Sequence, residues 1–231
     1  MNGNPVFLDR HLARLKNGIV RFGWEIEMPD LRAVARELIQ RNQLHTGRVR
    51  LRLVITAGSG GLNDLALGQD YSIWMTAFPA PDPPESLAVC ISPWRRNEHS
   101  PLAGLKCASY AENLIALDHA RQNECDEAIF LNTAGELCEA TMANLFLVKN
   151  GILRTPSLAS GCLPGITREL IVELAIRHGF SCQEGALSLD DFHAADEIFL
   201  TSSTRGPVPV SGKSGPYTHQ LRELWRGEIL K

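Results

Sequence analysis

The chain has 231 residues, of which 44% are hydrophobic and 21% are charged, and its formal net charge is −3. This composition is typical of a globular protein with one large domain or two smaller ones. A nucleic-acid-binding protein would carry a clustered basic excess, and a membrane protein a longer apolar run, so we expect no nucleic-acid and no membrane partner.

The six cysteines are scattered singly along the chain, and none has the spacing of metal ligands. This pattern predicts free thiols and no metal site. The first residues also lack the basic segment and apolar run of a secretory signal. We therefore predict a cytoplasmic protein that acts on small molecules.

The first part of the chain reads as two helices followed by strands. Leucines at helical spacing predict a first helix that Gly18 interrupts, and residues 30–43 form a second. Residues 48–56 alternate arginine with valine or leucine, as a half-buried strand does. The three arginines of this strand, at positions 48, 50 and 52, are expected to face an anionic substrate, a partner subunit or solvent. Further strands are predicted over residues 71–77 and 87–92.

A proline-containing polar stretch follows, and we predict a domain boundary in it. The N-terminal lobe then covers residues 1–94, the connection residues 95–104, and the C-terminal lobe residues 105–231. In the second lobe helices alternate with short strands. Helices are predicted after Lys106 to about residue 122, between Gly165 and Gly179, and over residues 218–230. Strands are predicted over residues 128–131, 145–148, 152–154, 197–201 and 208–210.

One lysine in the second lobe stands at the junction of a loop and a helix. Lys106 has apolar neighbours, although a lysine there is unfavourable beside the positive end of the helix dipole. Taken alone, it reads as a surface lysine.

Three other features bear on Lys106. The loop before residue 166 opens into a helix, where the N–H groups of Ile166 and Thr167 would bind an anion, unless Thr167 merely caps the helix. Hydroxyls at residues 201–204 suit a phosphate or form a polar turn. Glu139 is either an exposed strand residue or a buried acid with a cationic partner. A lysine, an acid and a phosphate cup together are the parts of a pyridoxal phosphate (PLP) site.

Six motifs in this order carry a family resemblance. They are His11-Leu-Ala-Arg-Leu15, Lys106-Cys-Ala-Ser-Tyr110, Asp126-Glu-Ala, Glu139-Ala-Thr-Met-Ala-Asn144, Leu163-Pro-Gly-Ile-Thr-Arg168, and Ala195-Asp-Glu-Ile-Phe-Leu-Thr201 with Val208-Pro-Val. The sequence resembles the class IV (fold type IV) PLP enzymes, which include branched-chain and D-amino-acid aminotransferases and 4-amino-4-deoxychorismate lyase. The resemblance implies a two-lobed α/β fold that binds PLP between its lobes, and a homodimer.

The resemblance also implies roles for individual residues. Lys106 would bind the cofactor covalently and carry the proton, Tyr110 would hydrogen-bond near its phenolic oxygen, and Glu139 would pair with its ring nitrogen. The remaining cofactor contacts would come from Arg14, Asn144, Ile166, Thr167, Ser202 and Ser203.

The sequence departs from the family in three places. Ala140 and Ala143 replace the usual glycine and serine, and Ser202-Ser203 stands where Gly-Thr is common. The segment that the family carries before the match at residues 5–9 is also absent, so the N-terminal part of the small domain is expected to be missing.

Two reactions fit the resemblance. The chain length favours a 4-amino-4-deoxychorismate lyase, which forms 4-aminobenzoate and pyruvate from a small amino substrate. The alternative is an aminotransferase of branched-chain or D-amino acids, and a second alternative is a truncated homologue without catalytic activity.

Overall fold

The computed structural model describes residues 5–61 and 63–229. Its contacts divide the chain into two compact units, residues 1–82 and residues 83–231. The domain boundary that we placed at residues 95–104 stays a prediction. Within the described residues, no helix is long and apolar enough to cross a membrane.

The first unit contains two helices and a β-hairpin. Its elements are α1 (Leu8–Arg21), α2 (Leu31–Arg41), β1 (Val49–Thr56) and β2 (Ser72–Pro79). The predicted interruption at Gly18 is wrong: α1 continues through it because burial of Ile19 outweighs the roughly 1 kcal/mol cost of a helical glycine. Asp30 caps α2 by accepting hydrogen bonds from Arg32 N and Ala33 N.

The hairpin confirms the predicted alternation of its first strand. β1 and β2 pair antiparallel, and Arg50 and Arg52 are exposed on one face beside the exposed rings of Trp74 and Phe78. This face forms a shallow groove of about 220 Å³. The opposite face packs its leucines and isoleucine more deeply.

The second unit alternates strands and helices. Its elements are β3 (Val89–Arg96), α3 (Ala111–Gln122), β4 (Glu127–Asn132), β5 (Leu137–Ala140), β6 (Asn144–Lys149), β7 (Ile152–Pro156), a 3-10 turn (Leu158–Ser160), α4 (Ile166–Arg177), β8 (Ser181–Gly185), α5 (Leu189–Ala194), β9 (Glu197–Ser202), β10 (Gly206–Pro209) and α6 (Pro216–Ile229). β5, β8 and α5 were not predicted from the sequence. The predicted end of the last helix, residue 230, lies outside the described residues.

Residues 93–96 continue β3 beyond the strand end predicted at residue 92, so the strand includes the first two residues of the predicted connection. The parallel pairing of β3 with β4 shifts register between Ile91 and Arg95. Pro93 has no N–H to donate to a ladder, and this irregularity accommodates it. The strand therefore passes the proline and ends at Arg96.

Two sheets form the second unit within the described residues. A five-stranded sheet has the order β10-β9-β6-β7-β8, and a three-stranded sheet the order β3-β4-β5. Phe146 of β6 and Phe199 of β9 stack at 4.9 Å between ring centroids, in a cluster with residues of α4 and α6. Leu145 and Leu200 belong to a second cluster that includes residues of β4 and β5. All six cysteines lie in described residues and are free thiols, as predicted.

Candidate active site

The lysine that the sequence singled out lies in the segment between β3 and α3. Lys106 is exposed, and its Nζ lies 5.2 Å from the centroid of the Tyr110 ring. Tyr110 immediately precedes α3, and its hydroxyl donates a hydrogen bond to Thr141 O at 3.1 Å. Burial, followed by the charge of Glu139, raises the pKa of Tyr110, so the phenol keeps its proton. The structure thus brings Lys106 and Tyr110 together.

Glu139 is a largely buried acid with a cationic partner, so it is not the exposed strand residue that the sequence left as an alternative. Its side chain is 13% exposed, and its Oε1 lies 3.7 Å from Arg96 Nη2. Leu163 N donates a hydrogen bond to Glu139 Oε2 at 2.9 Å. Burial raises the pKa of Glu139, whereas the Leu163 N–H and the charges of Arg96 and Lys106 act in the opposite direction.

Arg96 is a site residue that the sequence did not reveal. Its guanidinium donates to Glu112 Oε2 at 3.0 Å and to Asn113 Oδ1 at 3.2 Å, and its Cζ lies 4.3 Å from the centroid of the Phe130 ring. Its Nε is buried without a hydrogen-bond partner among the residues that the structure describes. The only signal in the sequence was the need of a buried Glu139 for a cation, which does not say which cation.

The loop before α4 is hydrogen-bonded to both Glu139 and Asn144, the first and last residues of the segment 139–144. Besides the bond from Leu163 N to Glu139, Leu163 O accepts a hydrogen bond from Asn144 Nδ2 at 2.9 Å. A Cβ on Gly165 would clash with Asn144 Oδ1, so only glycine allows this approach. Asn144 therefore sets the position of the loop that enters α4.

We expect Gly165→Ala to lower the free energy of unfolding by about 1–3 kcal/mol, the usual cost of overpacking a tight site. Asn144 is 5% exposed and hydrogen-bonded, so it cannot move aside freely. Denaturant unfolding followed by circular dichroism measures the change. Gly185→Ala is the matched control, because a Cβ there meets nothing within 4 Å and should change little. Equal losses in the two variants would contradict the prediction.

The N-terminus of α4 is built as the sequence predicted. Gly165 is the N-cap, so Ile166 and Thr167 are the first two helical residues, and both are buried. The alternative in which Thr167 caps the helix is wrong, because Thr167 lies inside it. The first N–H groups of a helix have no intrahelical acceptor and favour an anion. They are well placed for a phosphate.

The four consecutive residues with hydroxyl groups, residues 201–204, lie beside Asn144, and we call them the hydroxyl segment. Asn144 of β6 pairs with Thr201 of β9 in the antiparallel register. Thr201 Oγ1 is buried and has no hydrogen-bond partner within residues 5–61 and 63–229. Ser202 ends β9, and Ser203 is exposed in the turn that follows. Asn144 thus adjoins both the entrance to α4 and the hydroxyl segment.

Two further predictions concern Arg14 and the absence of a metal site. Arg14 lies on α1 in the first unit, so its contact with the cofactor stays a prediction. Among the described residues, no group of histidine, cysteine, aspartate and glutamate could hold a metal ion.

Comparison with known families identifies the chain. A family model described as "Amino-transferase class IV" matches residues 1–212. The chain belongs to the class IV aminotransferases. This confirms the family and the fold type IV architecture that the six motifs implied, and it makes the chain an enzyme.

Class IV relatives with two different activities are similar to this chain. The branched-chain-amino-acid aminotransferase of Escherichia coli strain K12 is 29% identical, over 97% of this chain and 79% of its own length. The aminodeoxychorismate lyase of Bacillus subtilis strain 168 is 28% identical, over 98% of this chain and 82% of its own length.

Two solved class IV structures resemble this one. A provisionally named 4-amino-4-deoxychorismate lyase of Legionella pneumophila superposes with a TM-score of 0.91 at 30% identity, over 98% of this chain and 87% of its own. An aminotransferase of Brucella abortus bound to PLP has a TM-score of 0.85 at 28% identity, over 97% of this chain and 84% of its own.

The cofactor of this class IV enzyme is PLP. The residues of the second unit fit that group. Glu139 offers a largely buried carboxylate for the ring nitrogen. The N-terminus of α4 and the hydroxyl-bearing residue Thr201 both adjoin Asn144, and N–H groups and hydroxyls suit a phosphate. Lys106 is exposed and accessible for covalent attachment.

Proposed function

We propose that this chain is a 4-amino-4-deoxychorismate lyase, which releases 4-aminobenzoate and pyruvate. The observation that carries the proposal is the similarity to the Legionella pneumophila structure, with a TM-score of 0.91 over 98% of this chain and 87% of the other. An aminotransferase is the second candidate, because the Escherichia coli branched-chain enzyme is 29% identical.

In this proposal each site residue has a defined task. When bound, PLP supplies a ring that accepts the electron pair left on the substrate's α-carbon. Lys106 would hold the cofactor covalently, and its Nζ would take the α-proton of the substrate. Tyr110 would hydrogen-bond near the cofactor's phenolic oxygen.

Glu139 and the loops around it hold the two ends of the cofactor. The Glu139 carboxylate keeps a proton on the ring nitrogen, and Arg96 at 3.7 Å favours its charged form. Ile166 and Thr167 bind the phosphate through backbone N–H groups and a hydroxyl. The remaining contacts with the phosphate group would come from Asn144, Ser202 and Ser203. Arg14 would bind the same phosphate with its guanidinium.

The family resemblance also supports a proposal about where the chain acts, its oligomeric state and its product. We propose that the chain works in the cytoplasm as a homodimer and supplies 4-aminobenzoate for folate synthesis. Its substrate is a small amino compound.

Parallel product assays on the PLP-loaded chain test the proposed reaction. A lyase should form 4-aminobenzoate and pyruvate in equal amounts from 4-amino-4-deoxychorismate over many turnovers, without any keto acid as amino acceptor. An aminotransferase would instead form keto acids from leucine, D-alanine or glutamate, and only with an acceptor present. Keto acids without 4-aminobenzoate would establish the second candidate, and no product from either assay would establish the non-catalytic homologue.

A further inference from the structure

A second buried acid lies close to the candidate active site, and the proposed chemistry does not use it. Glu127, the first residue of β4, is 1% exposed. Its carboxylate accepts hydrogen bonds from the Arg205 guanidinium, the Thr141 hydroxyl and Met142 N, the last at 3.0 Å. A buried carboxylate costs several kcal/mol unless it is paired and hydrogen-bonded, and here every contact comes from another part of the chain.

The partners of Glu127 come from two turns that carry candidate cofactor residues. Thr141 and Met142 lie between Glu139 and Asn144, in the connection from β5 to β6. Arg205 closes the turn from β9 to β10, and its N donates a hydrogen bond to Ser202 Oγ at 3.3 Å. Arg205 thus contacts the hydroxyl segment with its backbone and Glu127 with its side chain.

The backbone after Arg205 makes the turn difficult to rearrange. Gly206 has a φ of +67°, and a Cβ there would lie 2.5 Å from the Trp225 ring. Gly206 and Ser202 are opposite one another in the β9–β10 ladder. The β10 end of the turn therefore packs against a buried indole ring, directly after the arginine that pairs with Glu127.

Thr141 extends the same network toward Tyr110. While its hydroxyl donates to Glu127, its carbonyl accepts from Tyr110 Oη at 3.1 Å and from Asn113 Nδ2 at 2.6 Å. Asn113 in turn accepts from Arg96, the cation beside Glu139. A continuous set of polar contacts therefore joins the hydroxyl segment to Glu139, the acid proposed to pair with the ring nitrogen.

We propose that Glu127 and Arg205 are positioning residues, and that their ion pair, whose carboxylate is buried, holds the hydroxyl segment at residues 202–204 where it binds the cofactor's phosphate. The proposal rests on the proposed function, because it takes Ser202 and Ser203 as phosphate contacts. Loss of the pair should weaken phosphate recognition selectively, since Lys106 and Glu139 act on other parts of the cofactor.

The test compares PLP with pyridoxal, which lacks the phosphate, on the full chain. Dissociation constants are measured by titration for the wild type, Arg205→Met, Glu127→Gln and the double variant. Each single change should raise the Kd for PLP roughly 10- to 100-fold, the range for loss of a charged hydrogen bond. The Kd for pyridoxal should stay within about threefold, a change well below the tenfold that corresponds to 1.4 kcal/mol.

The double variant tests whether Glu127 and Arg205 act together as an ion pair or independently of one another. Removing Arg205 leaves Glu127 as a buried, uncompensated charge, and removing Glu127 leaves the partly buried Arg205 without its carboxylate. Glu127→Gln combined with Arg205→Met should therefore bind PLP better than either single variant. Arg154→Met is the control. It breaks an ion pair with Asp191 in the same unit, with side chains 29% and 30% exposed, and should leave both constants unchanged.

A further pair of variants covers the case in which Arg205→Met does not fold. Thr141→Val removes only the hydroxyl that donates to Glu127, and Thr141→Ser restores it. Weakened PLP binding in the first and recovery in the second supports the proposal. Equal losses for PLP and pyridoxal, or no loss, would overturn it and leave the proposed function intact. A wild-type chain that binds neither compound would overturn the proposed function itself.

Discussion

Replacing Lys106 with alanine should lower turnover by at least about 10³-fold, because the variant loses both covalent attachment of the cofactor and the base that takes the α-proton. Steady-state kinetics with saturating PLP measures the loss. Lys149→Ala is the matched control: Lys149 Nζ pairs with Asp196 at 3.0 Å on the surface of the same unit, and its removal should leave turnover unchanged.

A covalent label distinguishes loss of attachment from loss of folding. Borohydride reduction of the PLP-loaded wild type, followed by peptide mass mapping, should place the pyridoxyl group on Lys106. The alanine variant should carry none, although its circular dichroism spectrum should match the wild type. A pyridoxyl group on another lysine, or wild-type turnover by the variant, would contradict the assignment.

Replacing Glu139 with glutamine should lower kcat by about 10²–10³-fold, the usual effect of losing one preorganised electrostatic contact. The amide can still accept the hydrogen bond from Leu163 N, so the loop before α4 should keep its position. It carries no charge, however, and cannot hold the proton on the ring nitrogen. Glu136→Gln, three residues earlier, is the control. Equal kcat values for the wild type and Glu139→Gln would exclude the proposed role.

The pH dependence of the cofactor-free protein gives an independent measurement of Glu139. Burial raises its pKa above the ordinary value of about 4.3, so the folded state favours the protonated form. Its contribution to stability is complete below that ordinary value and is lost as the pH rises through the raised pKa. Relative to Glu139→Gln, the wild type should lose unfolding free energy over that window and no more above it. Parallel stability profiles for the two proteins would refute this.

The sequence was sufficient for the residues that lie in the recognised motifs. Lys106, Tyr110 and Glu139 were found because a lysine, an aromatic donor and an acid stand in one order along the chain, and the structure brings them together. Their roles in catalysis stay predictions.

The contacts that support these residues could not be read from the sequence. Arg96 approaches Glu139 across 43 positions, and the register shift in β3 decides which side chain turns inward at the end of that strand. The pair Glu127–Arg205 spans 78 positions. Local patterns carry no information on which of many charged residues meet at such distances, because the tertiary fold selects them.

The same limit applies to secondary structure. α2 and α4 were predicted from their apolar spacing and the residues at their ends, which are local signals. β5 has only four residues and is held by β4, so its strand character comes from its partner. Gly18 shows the reverse case, in which tertiary packing of α1 outweighs a local signal to stop.

Under the proposed function, the N-cap of α4 would make the stability of this protein depend on the supply of its cofactor. Gly165 has no side chain with which to cap the helix, so a bound phosphate would satisfy N–H groups that the chain leaves to its ligand. A ligand that binds only the folded state stabilises it by RT ln(1 + [L]/Kd). Under the proposed function, vitamin B6 scarcity would therefore shorten the lifetime of the protein as well as silence it, since degradation follows the unfolded fraction.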